Sequence, residues 1–174
     1  GQALDDDDAV VRSDISRVDG ISRDMERAKR LMRSYARHQG GQVATTVICA
    51  DIAANDTDAM SEATVYSYIN ALKKIFVIED MQAWNPNLRS KTAIRASDTR
   101  FFIDSSIATA AQGLGPDDLI ADLKTFGLLF ETMCVRDLRV YAEALKGSVY
   151  HYRDKTGLEC DAVIHVRNGA YGLI

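Results

Sequence analysis

Across residues 128–161 the hydrophobic pattern changes from the period of a helix to the period of a strand, and each side of the change carries a carboxylate. The first side reads Leu128-Leu129-Phe130-Glu131-Thr132-Met133, apolar at helical spacing. The second reads Tyr150-His151-Tyr152-Arg153, a turn, then Glu159-Cys160-Asp161. Helical patterning fills most of the chain before this point and hairpin patterning fills the rest. Such a sequence is confined to an α+β arrangement, with helices segregated from a small antiparallel sheet.

The 174 residues suffice for one generous domain or two small ones, and 47% apolar content is enough to fill real cores. No run approaches the roughly 18 to 20 apolar residues of a membrane span, and the first residues are acidic where a signal peptide would be basic and then apolar. A cytoplasmic location without membrane attachment is expected. Cys49, Cys134 and Cys160 are odd in number and widely separated, which predicts reduced, mostly buried thiols rather than a disulfide framework or a zinc site. A net charge of -4 means that whole-molecule electrostatics do not favour nucleic acid, so any such binding needs a local basic face.

Residues 1–20 include the self-repelling block Asp5-Asp6-Asp7-Asp8 and are expected to be a disordered or linker segment. A helix is predicted over 21–38, with Ile21, Met25, Ala28, Leu31, Met32 and Tyr35 inward and Arg23, Arg27, Lys29, Arg30, Arg33 and Arg37 on a basic outer surface. Gly40-Gly41 ends it. Thr45 or Thr46 can cap a short helix over 47–54 facing Val47, Ile48 and Ile52 inward, and 55–58 makes a turn. Ser61 caps a second helix over 62–74 that buries Val65, Tyr68, Ile69 and Leu72. The apolar extended run Ile75-Phe76-Val77-Ile78 follows at once, which is the element order of a winged helix-turn-helix. On that reading Thr64, Tyr66, Ser67, Asn70, Lys73 and Lys74 point outward as the candidate DNA-binding residues, offering groups suited to phosphates and base edges. The same two helices could equally be a plain docking module.

Trp84-Asn85-Pro86-Asn87 and Arg89 read as a wing-like loop with an aromatic anchor. Arg100-Phe101-Phe102-Ile103-Asp104 reads as a buried strand, with Ser105 or Ser106 capping a helix through Gln112. Gly113 and Gly115 break the chain, Pro116 opens the next helix, and Asp117 and Asp118 suit the positive end of its dipole. These elements divide the chain into a linker at 1–20, a helical winged helix-turn-helix-like part at 21–98, and a second part at 99–174.

A helix over 126–145 is expected to bury Phe126, Leu129, Phe130, Met133, Val135, Leu138, Tyr141, Ala142 and Leu145. Glu131 stands in line with Val135, Leu138 and Ala142, where a carboxylate resists ionising unless a cation or donor meets it. Arg100 and Arg153 are candidate partners for it. Gly157 supplies the turn between two strands, and alternation puts Cys160, Ala162, Ile164 and Val166 on one face, with Glu159, Asp161, Val163 and His165 on the other. Asp161 therefore reads as an acid in a strand meant for burial. Acid on a helix, then acid on a strand, is a layout found in metal-dependent nucleases, where hard cations such as Mg2+ take carboxylate oxygens. Glu131 and Asp161 are thus the candidate catalytic and metal-binding residues. His38, His151 and His165 are not spaced for nucleophilic or zinc chemistry with any cysteine, and no phosphate-binding glycine loop is present.

From Ser61-Glu62-Ala63-Thr64-Val65-Tyr66-Ser67-Tyr68-Ile69 through Trp84-Asn85-Pro86-Asn87-Leu88-Arg89, Phe101-Phe102-Ile103-Asp104-Ser105-Ser106-Ile107-Ala108, Gly127-Leu128-Leu129-Phe130-Glu131 and Tyr152-Arg153-Asp154-Lys155-Thr156-Gly157-Leu158-Glu159-Cys160-Asp161, the chain resembles the C-terminal region of predicted bacterial and archaeal AAA-type ATPases called domain of unknown function 4143. The resemblance implies a winged helix followed by a restriction-endonuclease-like core of the PD-(D/E)xK type, here C-terminally truncated. It matches Glu131 to the helix glutamate, Asp161 to the strand aspartate and Glu159 to an acidic companion. The acid-x-lysine strand of that core is expected just after Leu173-Ile174, so catalysis is not expected of this chain. Mg2+ is implied for the complete parent, ATP only through an upstream module, and DNA and the parent ATPase as partners. A non-enzymatic interaction or regulatory domain is the competing expectation.

Overall fold

The computed structural model describes residues 14–54, 59–86, 97–154 and 156–174. The acidic block at 5–8, the turn at 55–58, residues 87–89 of the wing-like loop, and Lys155 lie outside the described residues.

The protein is mixed α+β: six helices precede a three-stranded antiparallel sheet among the described residues. Helix α1 (Met25–Arg37) begins where the Asp24 carboxylate accepts from the Arg27 N–H and buries Ala28, Leu31, Met32 and Tyr35 as its period predicts. Ile21 is exposed because it precedes the helix. Arg23, expected on the basic surface, is buried. Its guanidinium donates to Asp19 at 2.7 and 2.8 Å, to Ser67 Oγ at 3.0 Å and to the Ile15 carbonyl at 2.8 Å. A buried arginine is stable only when so many donors are matched.

Helix α2 (Thr45–Ala54) buries Ile48 and Ile52, but Val47 is exposed and Thr45 takes the inward place at the first turn. Helix α3 (Glu62–Lys74) starts at Ser61, whose hydroxyl accepts from the Thr64 N–H, and it buries Val65, Tyr68, Ile69 and Leu72. Ile75 ends the helix, and Phe76 adopts φ +56 and stays exposed, so the expected apolar strand shrinks to Val77 and Ile78. The chain must reverse there to leave the helix, which turns Phe76 out of the core. Ile78 then bridges Phe102 and Met81 bridges Thr99, both antiparallel, while Ala83 bridges His151 in parallel.

Asp104, rather than Ser105 or Ser106, caps helix α4 (Ser105–Gln112) by accepting from the Ser106 N–H. Helix α5 (Pro116–Ala121) carries Pro116 at its first turn with Asp117 and Asp118, as expected. The 22-residue helix α6 (Leu123–Ala144) fully buries only Leu129, Thr132, Val135 and Ala142. Phe126, Phe130, Tyr141 and Leu145, expected inward, are exposed, and Met133 and Leu138 are half-buried. Apolar residues lie on more sides of this helix than its neighbours cover.

Two cores result. One gathers α1, α2 and α3 with Phe102, Ala108 and Leu129; the other gathers Met81, Phe101, Val135, Ala142, Val149 and Ala162. Leu129 serves the first and Val135 the second, so α6 is common to both. Phe101 and Phe102, adjacent in sequence, point into different cores because an extended segment alternates its side chains.

Strands β1 (Gly147–Arg153), β2 (Glu159–Val166) and β3 (Tyr171–Leu173) pair in chain order, with Gly157 at φ +88 and Gly169 at φ +89 in the two turns. Tyr150 pairs with Val163 and Tyr152 with Cys160, so two steps on β1 match three on β2. One extra residue therefore stands within Asp161-Ala162, a β-bulge. The simple alternation expected for β2 fails here. Cys160 shares the face of Tyr152 and Val163 that of Tyr150, while Ala162 joins the core under α6 and Asp161 is carried to the same side. Asp161 is also exposed rather than buried, because it lies toward the open end of β2.

Candidate functional site: a helix–strand acid pair

Glu131 and Asp161, distant in sequence, meet at one small cavity of about 110 Å³ that is also lined by Gly40, His151, Arg153 and Glu159. Helix α6 supplies Glu131 from the turn between Leu129 and Val135, and the bulge in β2 supplies Asp161. Burial, and then the negative charge of Asp161, push the Glu131 carboxyl up to about 7. Neither Arg100 nor Arg153 answers that charge. Arg100 binds Asp80 at 2.7 Å and the Val43 carbonyl at 3.1 Å, and Arg153 binds Glu159 at 3.0 Å. Among the described residues no cation or hydrogen-bond donor pairs with either member of the acid pair.

The loop after α1 closes this cavity from the helical side. Gly40 has φ +71, and a Cβ there would lie 3.1 Å from Leu128 Cδ2 and 3.3 Å from Glu131 Oε2. Both the left-handed backbone and the close approach call for glycine. The Gly40 N–H donates to the Arg100 carbonyl at 2.8 Å and the Arg100 N–H to the Gly41 carbonyl at 3.0 Å, which ties the loop to the second part of the chain.

His151 is the lining residue whose spacing gave no warning. It is 5% exposed, its Nδ1 lies 3.1 Å from Gln42 Nε2, and its Nε2 is buried. Burial pushes its pKa down, so the ring is held neutral. Its inward position beside Val149 was a usable signal, since residues two apart on a strand share a face.

The candidate recognition residues on α3 are divided. Tyr66, Asn70 and Lys74 are exposed. Ser67 accepts from Arg23 at 3.0 Å, Lys73 binds the Asp80 carboxylate at 2.7 Å, and Thr64 Oγ1 is 2.8 Å from the capping Ser61 hydroxyl. Three of the six are therefore engaged inside the protein. The three cysteines are free and half-buried rather than mostly buried, with burial pushing the Cys49 thiol up. Among the described residues no group of three or more His, Cys, Asp or Glu side chains is placed to hold a metal ion, and no helix is long and apolar enough to cross a membrane.

The arrangement defines an α+β protein in which a helix and a bulged strand bring two carboxylates to one cavity. The chain belongs to the family described as Domain of unknown function (DUF8612), whose family model matches residues 5–118. Residues 126–174, which hold both carboxylates, match a second one, Domain of unknown function (DUF4143). The likeness to domain of unknown function 4143 is thus matched over the α6 and sheet region, while the helical region before it matches a different family. No curated protein and no solved structure is significantly similar to the chain.

Proposed function

We propose that this chain is a C-terminal DNA-binding and nuclease-like module of a cytoplasmic AAA-type ATPase. On this reading the helical part is a winged helix and the α6–sheet part is a restriction-endonuclease-like core. The observation that carries it is the convergence of Glu131 and Asp161 on one cavity whose lining cation, Arg153, is paired with Glu159. Two adjacent carboxylates, one of them pushed up to about 7, favour either a shared proton or a bound cation. The match of residues 126–174 to Domain of unknown function (DUF4143) supports the same reading, because the resemblance to that family implies an ATPase module upstream. ATP would enter only through that module.

The donor set suits a hard cation in part. Glu131 and Asp161 would hold Mg2+ through carboxylate oxygens, leaving its other positions to water and a phosphate oxygen. A cation there would supply water activation and neutralise developing charge on a scissile phosphate. The chain's own contribution is to bring the two carboxylates together, to close the site with Gly40, and to keep His151 neutral beside it.

The test is a pair of titrations. Mg2+ or Mn2+ should raise the melting temperature of the wild type near neutral pH, and Asp161→Asn should abolish the rise. Duplex DNA should bind with an affinity that falls steeply as salt increases, and Lys74→Ala should reduce both the affinity and the salt slope. Binding that is absent or insensitive to salt would sink the DNA reading. A second reading, a non-enzymatic interaction domain, is favoured by the exposed apolar residues Phe126, Phe130, Tyr141 and Leu145 of α6 and by the internal engagement of Ser67 and Lys73. It predicts neither cation nor DNA response.

A further inference from the structure

The face of the sheet turned away from α6 carries an aromatic layer. Trp84 lies against Tyr171 with ring centroids 4.8 Å apart and planes inclined at 46°, and also against Tyr152 and His165 at 6.1 and 6.3 Å. Tyr150 stands beside His165 in the same layer. The Trp84–Tyr171 pair and Tyr150 line an open cavity of about 780 Å³. That volume falls in the range of small-molecule sites.

Two cations border the same cavity. Gly147 pairs with Val166 at the last rung of β1 and β2, so Lys146 and Arg167 stand next to each other just beyond it. Both are exposed, and neither makes an ion pair among the described residues. Glu143 is the carboxylate on the same wall, so the cations outnumber it two to one. Lys146 is held at φ +57, a left-handed conformation that a non-glycine residue adopts at a cost. Gly147 allows the strands to meet there, since a Cβ on it would come within 2.8 Å of the His165 carbonyl oxygen and of Val166 Cγ1.

An aromatic platform takes a flat ring by stacking, and two adjacent unpaired cations take an anion. A base joined to a phosphate satisfies both. We infer that this cavity is a nucleotide-binding site, with the base stacked against Trp84 and Tyr171 and the phosphate held between Lys146 and Arg167. The aromatic layer lies on the opposite face of the sheet from Glu131 and Asp161, and the two cavities share no lining residue, so the inference does not rest on the nuclease-like reading. The nucleotide can be free or an unpaired residue of a single strand.

Trp84 is the only tryptophan, so its fluorescence reports the site directly. The intact chain would be titrated with AMP, adenosine, inorganic phosphate and a short single-stranded oligonucleotide, with excitation at the red edge of tryptophan absorption. AMP or the oligonucleotide should quench Trp84, and rising salt should weaken this. Adenosine should bind more weakly than AMP. Lys146→Ala and Arg167→Ala should each weaken binding about tenfold, the usual effect of losing a hydrogen bond to a charged group. Tyr171→Ala should weaken it as well. Quenching by both AMP and the oligonucleotide assigns a general nucleotide site, and quenching by the oligonucleotide alone assigns a single strand. No quenching by either, equal affinity for adenosine and AMP, or salt-independent binding of AMP overturns the inference. Circular dichroism checks that the two surface variants stay folded, and the salt dependence of the wild type decides the matter without them.

Discussion

At the scale of single residues, Asp80 and Glu131 mark the two extremes of how a carboxylate is placed among the described residues. Asp80 is the paired extreme. Its side chain is 3% exposed, binds Lys73 and Arg100 at 2.7 Å each, and accepts from the Tyr35 hydroxyl. Burial, with Asp80 next to it, pushes the Tyr35 phenol well above its ordinary range. Asp80→Ala leaves Arg100 without its carboxylate and should destabilise by about 3 kcal/mol or more, read as a lower urea midpoint at constant slope. Glu131 is the unpaired extreme. A carboxyl whose pKa is higher folded than unfolded holds more protons in the folded state, so its stabilising contribution is greatest in acid and is lost as pH rises from 4.5 through about 7. Glu131→Gln should therefore leave stability near its acid value and raise it at about pH 8, by on the order of 1 kcal/mol once the partial exposure of the group is discounted. Stability curves for wild type and variant that stay parallel across this range would refute the burial and coupling of Glu131.

At the scale of elements, caps and turns were legible in the sequence, and faces less so. Ser61 and Pro116 start their helices where expected, and Gly157 turns the first hairpin, because each effect is local. Ser61→Ala should cost about 1 kcal/mol, measured by thermal or chemical unfolding. Periodicity found the inward stripe of α3 but overfilled that of α6, because spacing tells which residues share a side and not whether a neighbour covers it. The bulge at Asp161-Ala162 was likewise invisible, since it is a mismatch between two strands. Gly147→Ala tests the opposite corner of the same sheet. The new methyl would press on the His165 carbonyl, and a loss of about 1 to 3 kcal/mol is expected, with the midpoint of unfolding as the readout.

At the scale of the whole molecule, α6 joins the helical core to the sheet core. A helix shared by two cores couples their unfolding. Far-ultraviolet circular dichroism, dominated by the helices, and the fluorescence of Trp84 on the sheet should trace one coincident transition in urea, and separated midpoints would show the cores to be independent. Leu129→Ala and Val135→Ala should each shift both probes together, although the two residues sit in different cores. The overall charge of -4 does not favour nucleic acid, so such a contact has to be local. Lys74 on α3 and the Lys146–Arg167 pair are two such places.

The sequence by itself determined the α+β class, the identity of most helices, the hairpin turns, and the choice of Glu131 and Asp161 as residues to watch. These follow from period, capping and turn chemistry, which act over a few neighbouring residues. Only the tertiary structure decided that the two carboxylates meet at one cavity, that Arg100 is committed to Asp80 and Arg153 to Glu159, that Ser67 and Lys73 are engaged from within, and that His151 lines the acid cavity. Those outcomes depend on which partner reaches a charge first, and the competitors are separated by tens of residues along the chain.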